Sequence, residues 1–78
     1  MSTYFTLQEA KSKLGRTIIT KIPFYQLPRG SIGKVADIYE MGNLRYGLII
    51  SWDGSVISDG FSKDEYEEFL REIWEKFL

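Results

Sequence analysis

Cysteine and histidine are both absent from this chain of 78 residues. Without cysteine there is no disulfide framework, no thiolate nucleophile and no sulfur-bound metal. Without histidine, the usual general base near neutral pH and the commonest metal ligand are missing as well. Neither an enzymatic activity nor a cofactor or metal is therefore expected. Long apolar runs are lacking too: Leu48 to Ile50 is the longest, far short of the roughly 18 residues that a membrane span requires. No membrane association is expected. The opening Met1-Ser2-Thr3-Tyr4-Phe5-Thr6 has no basic segment followed by an apolar one, so the expectation is no secretory signal and a cytoplasmic location. Proline is scarce, and its 2 residues, Pro23 and Pro28, flank a single loop.

What is present fits one ordered domain spanning residues 1–78. Hydrophobic residues make up 44% and charged residues 27% of the chain, a balance that argues against disorder. A chain of this length buries only about 60 to 65% of the surface it exposes when unfolded, too little for a second core. The net charge of −1 conceals an asymmetry. Lys11, Lys13, Arg16, Lys21, Arg29, Lys34 and Arg45 outnumber Glu9, Asp37 and Glu40 in residues 1–50, whereas eight carboxylates face three cations in residues 51–78. Such blocks either steer a partner or attract each other within the fold, and the second is the commoner outcome.

In chain order, Thr6 and Glu9 stand in capping-box relation ahead of a short helix that ends at Gly15. Leu7, Ala10 and Leu14 fall on one face, and Leu7 and Leu14 are the expected contacts with the sheet, helped by Tyr4 or Phe5. Arg16 to Ile22 is rich in β-branched residues and reads as a strand that Pro23 ends. A second strand begins near Ser31 or Ile32, and the spacing of Val35 and Ile38 calls for a β-bulge near Ala36-Asp37. After a Gly42-Asn43 turn, Tyr46, Leu48, Ile50 and Trp52 share one face of a third strand, and Gly47 marks a close crossing. A fourth strand is expected over Ser55 to Ser58, ended by Asp59-Gly60. Ser62 with Glu65 then caps a helix in which Tyr66, Phe69, Leu70, Ile73, Trp74, Phe77 and Leu78 form one apolar stripe, with Glu67–Arg71 and Glu72–Lys76 as i, i+4 pairs. A stripe reaching the last residue either completes the core or meets a second copy, so a monomer or a weak homodimer through this helix is expected.

The run Gly30-x-x-Gly33-x-Val35-x-x-Ile38, followed by Tyr46-Gly47-Leu48-x-Ile50-x-Trp52-Asp53, resembles the turn-and-hairpin signature of small SH3-like barrels. The ending Gly60-Phe61-Ser62-Lys63-Asp64-Glu65-Tyr66 is similar to that of a group of uncharacterised cyanobacterial SH3-like proteins. The resemblance covers about residues 6 to 72. It implies an α+β fold, an SH3-like small barrel of about four or five short antiparallel strands with a short N-terminal and an amphipathic C-terminal helix. It implies no activity, because that group has no established function.

The candidate partner surface is Phe24, Tyr25, Arg29, Tyr39 and Tyr46. In SH3-like folds, aromatics of the first long loop and the neighbouring strands border a shallow groove that can hold an extended Pro-rich segment of another protein. The same aromatics with Lys21, Arg29, Lys34 and Arg45 would alternatively stack bases and neutralise phosphates in an RNA- or ribosome-associated module. The plainer reading is that the aromatics close the end of the barrel. Gly30-Ser31-Ile32-Gly33-Lys34 lacks the first glycine, the Ser or Thr after lysine and the following helix of a phosphate-binding loop, so its glycines read as turn and bulge positions. The carboxylates Asp64, Glu65, Glu67, Glu68, Glu72 and Glu75 read as a solvated helix face.

Overall fold

Two capping boxes start the two helices. Thr6 Oγ1 accepts the Glu9 N–H at 3.1 Å while the Thr6 N–H donates to the Glu9 carboxylate at 2.9 Å, and helix α1 (Leu7–Lys13) follows. Ser62 and Glu65 make the same reciprocal pair before helix α2 (Lys63–Phe69). Each pair satisfies two N–H groups that a helix start otherwise leaves unpaired. The computed structural model describes residues 3–23, 27–56 and 58–73. Its strands are β1 (Thr17–Thr20), β2 (Ile32–Glu40), β3 (Tyr46–Trp52), β4 (Ser58–Phe61) and β5 (Leu70–Ile73). They form a 5-stranded sheet in the order β4-β3-β2-β1-β5, with every pairing antiparallel. The fold is thus α+β, and β4 and β5 are the sheet's two edges.

The core lies on one face of this sheet. Ile18, Val35, Leu48, Ile50, Trp52, Phe61 and Leu70 are buried there with Phe5, Ala10 and Tyr66. In β3 the expected face is the one buried, with Tyr46 partly covered at its start. The β2–β3 register shifts between Val35 and Asp37. That bulge lets Val35 and Ile38 both turn inward, as their spacing requires. Gly47 lies under the Tyr39 ring, where a Cβ would come within 2.5 Å of its Cζ. Gly33 is neither turn nor bulge: it is a buried strand residue against which Trp52 packs. Gly30, with φ +92°, does hold the turn position.

Three expectations are corrected. The C-terminal helix stops at Phe69, and Leu70 to Ile73 is a strand paired with β1 through Thr20↔Leu70 to Thr17↔Ile73. A helical stripe buries only its own side chains, whereas this pairing also satisfies the backbone along the open edge of β1. Glu67–Arg71 is consequently not a helical pair, and Trp74, Lys76, Phe77 and Leu78, with the Glu72–Lys76 pair and the dimer contact drawn from them, lie outside the described residues. The fourth strand runs over Ser58–Phe61 rather than Ser55–Ser58. Asp59 and Gly60 continue it because Phe61, fully buried, must reach the core and Asp59 accepts the Trp52 indole N–H at 2.7 Å. Lastly, α1 packs through Ala10 at 0% exposure, with Phe5 just before it, while Leu7 and Leu14 are exposed.

The β2–β3 hairpin turns through Gly42, Asn43 and Leu44, with the Arg45 N–H donating to the Gly42 carbonyl at 3.0 Å. Leu44 has φ +60° and is 77% exposed, so its side chain gains little burial against the cost of a left-handed backbone. Leu44→Gly is expected to raise stability by about 1 kcal/mol. Urea unfolding measures this: the midpoint should rise at an unchanged slope, and a fall would mean that Leu44 packs in the native state.

Candidate functional site

The end of β1 organises a pocket of about 290 Å³ lined by Ile19, Thr20, Lys21, Arg29, Gly30 and Arg71. Thr20 fixes its floor. The Thr20 hydroxyl donates to the Pro28 carbonyl at 3.0 Å and accepts the Ser31 N–H at 3.0 Å, and its carbonyl accepts the Gly30 N–H at 3.1 Å. The Ser31 hydroxyl also donates to the Pro28 carbonyl, at 2.7 Å. Residues 28–31 are thereby stapled to β1, and Arg29 at the tip of that turn is held beside the strand.

The other two cations arrive from the opposite side. Lys21 follows β1 directly: its N–H donates to the Phe69 carbonyl at 2.8 Å and its ammonium to the Glu67 carbonyl at 2.6 Å, at the C-terminal end of α2. A cation suits that end of a helix, where unpaired carbonyls collect. Arg71 stands opposite Ile19 in the β1–β5 ladder, so both side chains leave the sheet on the same face. Lys21, Arg29 and Arg71 are all exposed, and among the described residues no carboxylate lines the pocket. Like charges so placed repel one another unless an anion joins them.

The sequence-based candidates divide between two places. Arg29 lies in this pocket; Tyr39 and Tyr46 do not, since they sit at the far end of β2 and its turn into β3. Phe24 and Tyr25 lie outside the described residues. The Tyr39 ring covers Gly47 and Gly60 and is half-buried. Its hydroxyl pKa is raised by that burial and by the charge of Glu65, with a contribution from Tyr4. Tyr46 pairs with Phe5 through two backbone hydrogen bonds of 3.0 Å and packs against the core. Of the basic residues, Lys21 joins Arg29, whereas Lys34 is on β2 opposite Thr17 and Ser51, and Arg45 covers the Tyr4 ring at 5.1 Å.

A second charged cluster holds the fold together. Glu72 points inward from β5 and accepts from Lys13 at 2.6 Å, Arg16 at 2.8 Å and the Tyr66 hydroxyl at 3.0 Å. Burial acts to raise the carboxyl pKa, but the hydrogen bonds from Lys13 and Tyr66 and the charges of Lys13 and Arg16 outweigh it and hold it below the usual range. Burial, then the Glu72 charge, pushes the Tyr66 hydroxyl well up. Lys63 pairs with Glu9 at 3.0 Å and joins the two helices. These ion pairs link the basic and acidic halves of the chain, so part of the charge asymmetry is internal. Among the described residues no group of three or more acidic side chains is placed to hold a metal ion, and no helix is long and apolar enough to cross a membrane.

Thr20 and Arg71 are the site residues that sequence reasoning missed. Arg71 was hidden by its placement on a helix. The run Ile18-Ile19-Thr20, which needs a partner on both sides, carried the only signal that a later segment must return to it. The chain matches no protein-family model, no curated protein and no solved structure.

Proposed function

We propose that this chain is a non-enzymatic, cytoplasmic interaction module with an SH3-like barrel fold, and that it binds another protein at the corner formed by the end of β1, the turn at residues 28–31 and β5. The fold reading is supported by the strand order: a meander from β1 to β4, a short helix, and a last strand returning to β1. It agrees with the resemblance to uncharacterised cyanobacterial SH3-like proteins. The observation that carries the functional reading is the pocket itself, in which Lys21, Arg29 and Arg71 converge with no described carboxylate among them at the base of the long β1–β2 loop. SH3-like folds use the surroundings of that loop to hold extended segments.

The same cations favour RNA as a second reading, but two features weigh against it. The acidic helix α2 ends directly beside Lys21, whose ammonium donates to the Glu67 backbone carbonyl, and the described tyrosines that would stack bases are at the other end of β2. A tagged chain incubated with extract from its source cells, split into nuclease-treated and untreated halves, separates the readings. Proteins retained equally in both halves are the expected result; recovery that disappears with nuclease would replace the proposal by the RNA reading.

A further inference from the structure

We infer that the Lys21–Arg29–Arg71 pocket is a carboxylate-binding site, and that its occupant is a segment of the partner protein with an isolated carboxylate, which sets a glutamate or aspartate side chain among the three cations and an aliphatic side chain on Ile19. The inference rests on the protein-binding reading and adds the chemistry of the partner.

Three observations lead to it. The polar side chains lining the pocket are Thr20, Lys21, Arg29 and Arg71, and the Thr20 hydroxyl is already engaged by Pro28 and Ser31. The guanidinium groups of Arg29 and Arg71 have no hydrogen bond or ion pair within the described residues, although Glu72 on β5 occupies Lys13 and Arg16 and Glu9 on α1 occupies Lys63. Two guanidinium groups lining one pocket offer planar forks to the oxygens of a carboxylate, to which arginine binds in bidentate fashion. The second observation is size. A volume of about 290 Å³ takes a side chain and its neighbour and lies at the lower end of the range of small-ligand pockets. The third is what surrounds it. Glu67 and Glu68 are exposed on α2, whose last turn meets Lys21 through the Glu67 backbone carbonyl, so a chain with a phosphate at every step would run from the cations towards like charge, whereas a segment with an isolated carboxylate would not. Ile19, half-buried and opposite Arg71, supplies an apolar patch that a nucleic-acid backbone would not use and an aliphatic side chain would.

The test is a titration of the isotope-labelled full chain, followed by amide resonances, with a blocked, otherwise uncharged peptide carrying one glutamate beside a leucine, its glutamine counterpart and a short oligouridylate. The glutamate peptide is expected to move the resonances of Lys21, Gly30 and Arg71, and the glutamine peptide to leave them in place. The double substitution Arg29→Gln with Arg71→Gln should raise the Kd by roughly tenfold or more, as expected for loss of charge-assisted hydrogen bonds. Lys34→Gln, outside the pocket, should change it by less than about twofold, which is usual for a rim charge. Both substituted side chains are exposed, so the thermal midpoint of the double variant should match that of the wild type; it serves as the control for folding. Shifts confined to other residues, an unchanged Kd in the double variant, or a stronger response of the same resonances to oligouridylate would each overturn the inference. Failure here is distinct from failure of the functional proposal: proteins captured after nuclease treatment to the same extent by wild type and double variant would leave an interaction module that binds elsewhere.

Discussion

Gly33→Val is expected to remove most of the stability of the domain, and Gly33→Ala about 2 to 3 kcal/mol of it. Gly33 is buried in β2, paired with Ile18 on one side and Trp52 on the other. A Cβ there would lie 2.8 Å from Trp52 Cε3, 2.9 Å from the Ser51 carbonyl oxygen and 3.0 Å from Ile50 Cγ2. The carbonyl belongs to the central β2–β3 ladder and cannot retreat without breaking it, and Trp52 is fixed by Asp59 and by its edge contact with Phe61. Overpacking a core usually costs about 1 to 3 kcal/mol, and an obstacle made of backbone places this site at or above the top of that range. The total available to a chain of this length is only about 4 to 12 kcal/mol. Urea unfolding followed by tryptophan fluorescence measures the loss. An unchanged midpoint for Gly33→Ala would mean that Trp52 does not lie over this strand. Gly47 makes the useful contrast, because the obstacle there is the outer end of the half-buried Tyr39 ring, which can swing aside; alanine at that position should cost less.

Glu72→Ala is expected to destabilise the protein by about 2 to 3 kcal/mol at neutral pH, since it strands three donors at once. Lys13, Arg16 and Tyr66 all converge on this carboxylate, whose side chain is only 20% exposed. Breaking such a cluster from one side leaves partly buried charges and a hydroxyl uncompensated, which costs more than the cluster itself contributes. The same group gives the stability a pH dependence of definite sign. Because the folded carboxyl has a pKa below the ordinary 4.5, the folded protein takes up this proton at a lower pH than the unfolded chain does. Its stabilisation is therefore complete above the unfolded value and is lost as the pH falls through the folded one. Glu9 is shifted the same way, first by the Thr6 N–H and then by Lys63, so it adds to the trend. Thermal midpoints measured from pH 7 down to about pH 3 should fall for the wild type and fall less steeply for Glu72→Gln. Equal slopes in the two proteins would show that Glu72 is not the partner of Lys13 and Arg16.

The local signals in the sequence were dependable, and the long-range ones were not. Thr6 with Glu9 and Ser62 with Glu65 announce helix starts because a capping box involves only residues three apart. The bulge in β2, the inward face of β3 and the close crossing at Gly47 were readable from alternation and from the place where it breaks. Leu70 to Ile73 was not, because its apolar residues fit a helical stripe as well as a strand, and the choice is made by an edge of β1 lying some fifty residues earlier. The shift of β4 has a related cause: Asp59-Gly60 has the composition of a turn, yet Trp52 and Tyr39 each pack against it. For α1, Leu7 and Leu14 outweigh Ala10 in hydrophobicity, but the close approach of helix to sheet selects the small residue.

The candidate site shows the same division. Arg29 was visible as a cation beside the long loop, and its neighbour Lys21 as one of several basic residues. Arg71 joins them only after β5 has crossed to β1, and Thr20 matters only because the turn at residues 28–31 folds back onto it. Tyr39 and Tyr46, grouped with Arg29 by residue type, are separated from it by the length of β2. Composition indicates which chemistry is available, and strand order decides which groups meet.

The measurement that bears most directly on the proposed function is zero-length carbodiimide cross-linking of the full chain in nuclease-treated extract, with the joined residues located by mass spectrometry. This chemistry links a lysine amine only to a carboxylate already in contact with it. The account predicts a product in which Lys21 is joined to an aspartate or glutamate of another protein. Links to other proteins found only at lysines remote from the pocket, such as Lys11 or Lys34, or no protein linked at all, would contradict it.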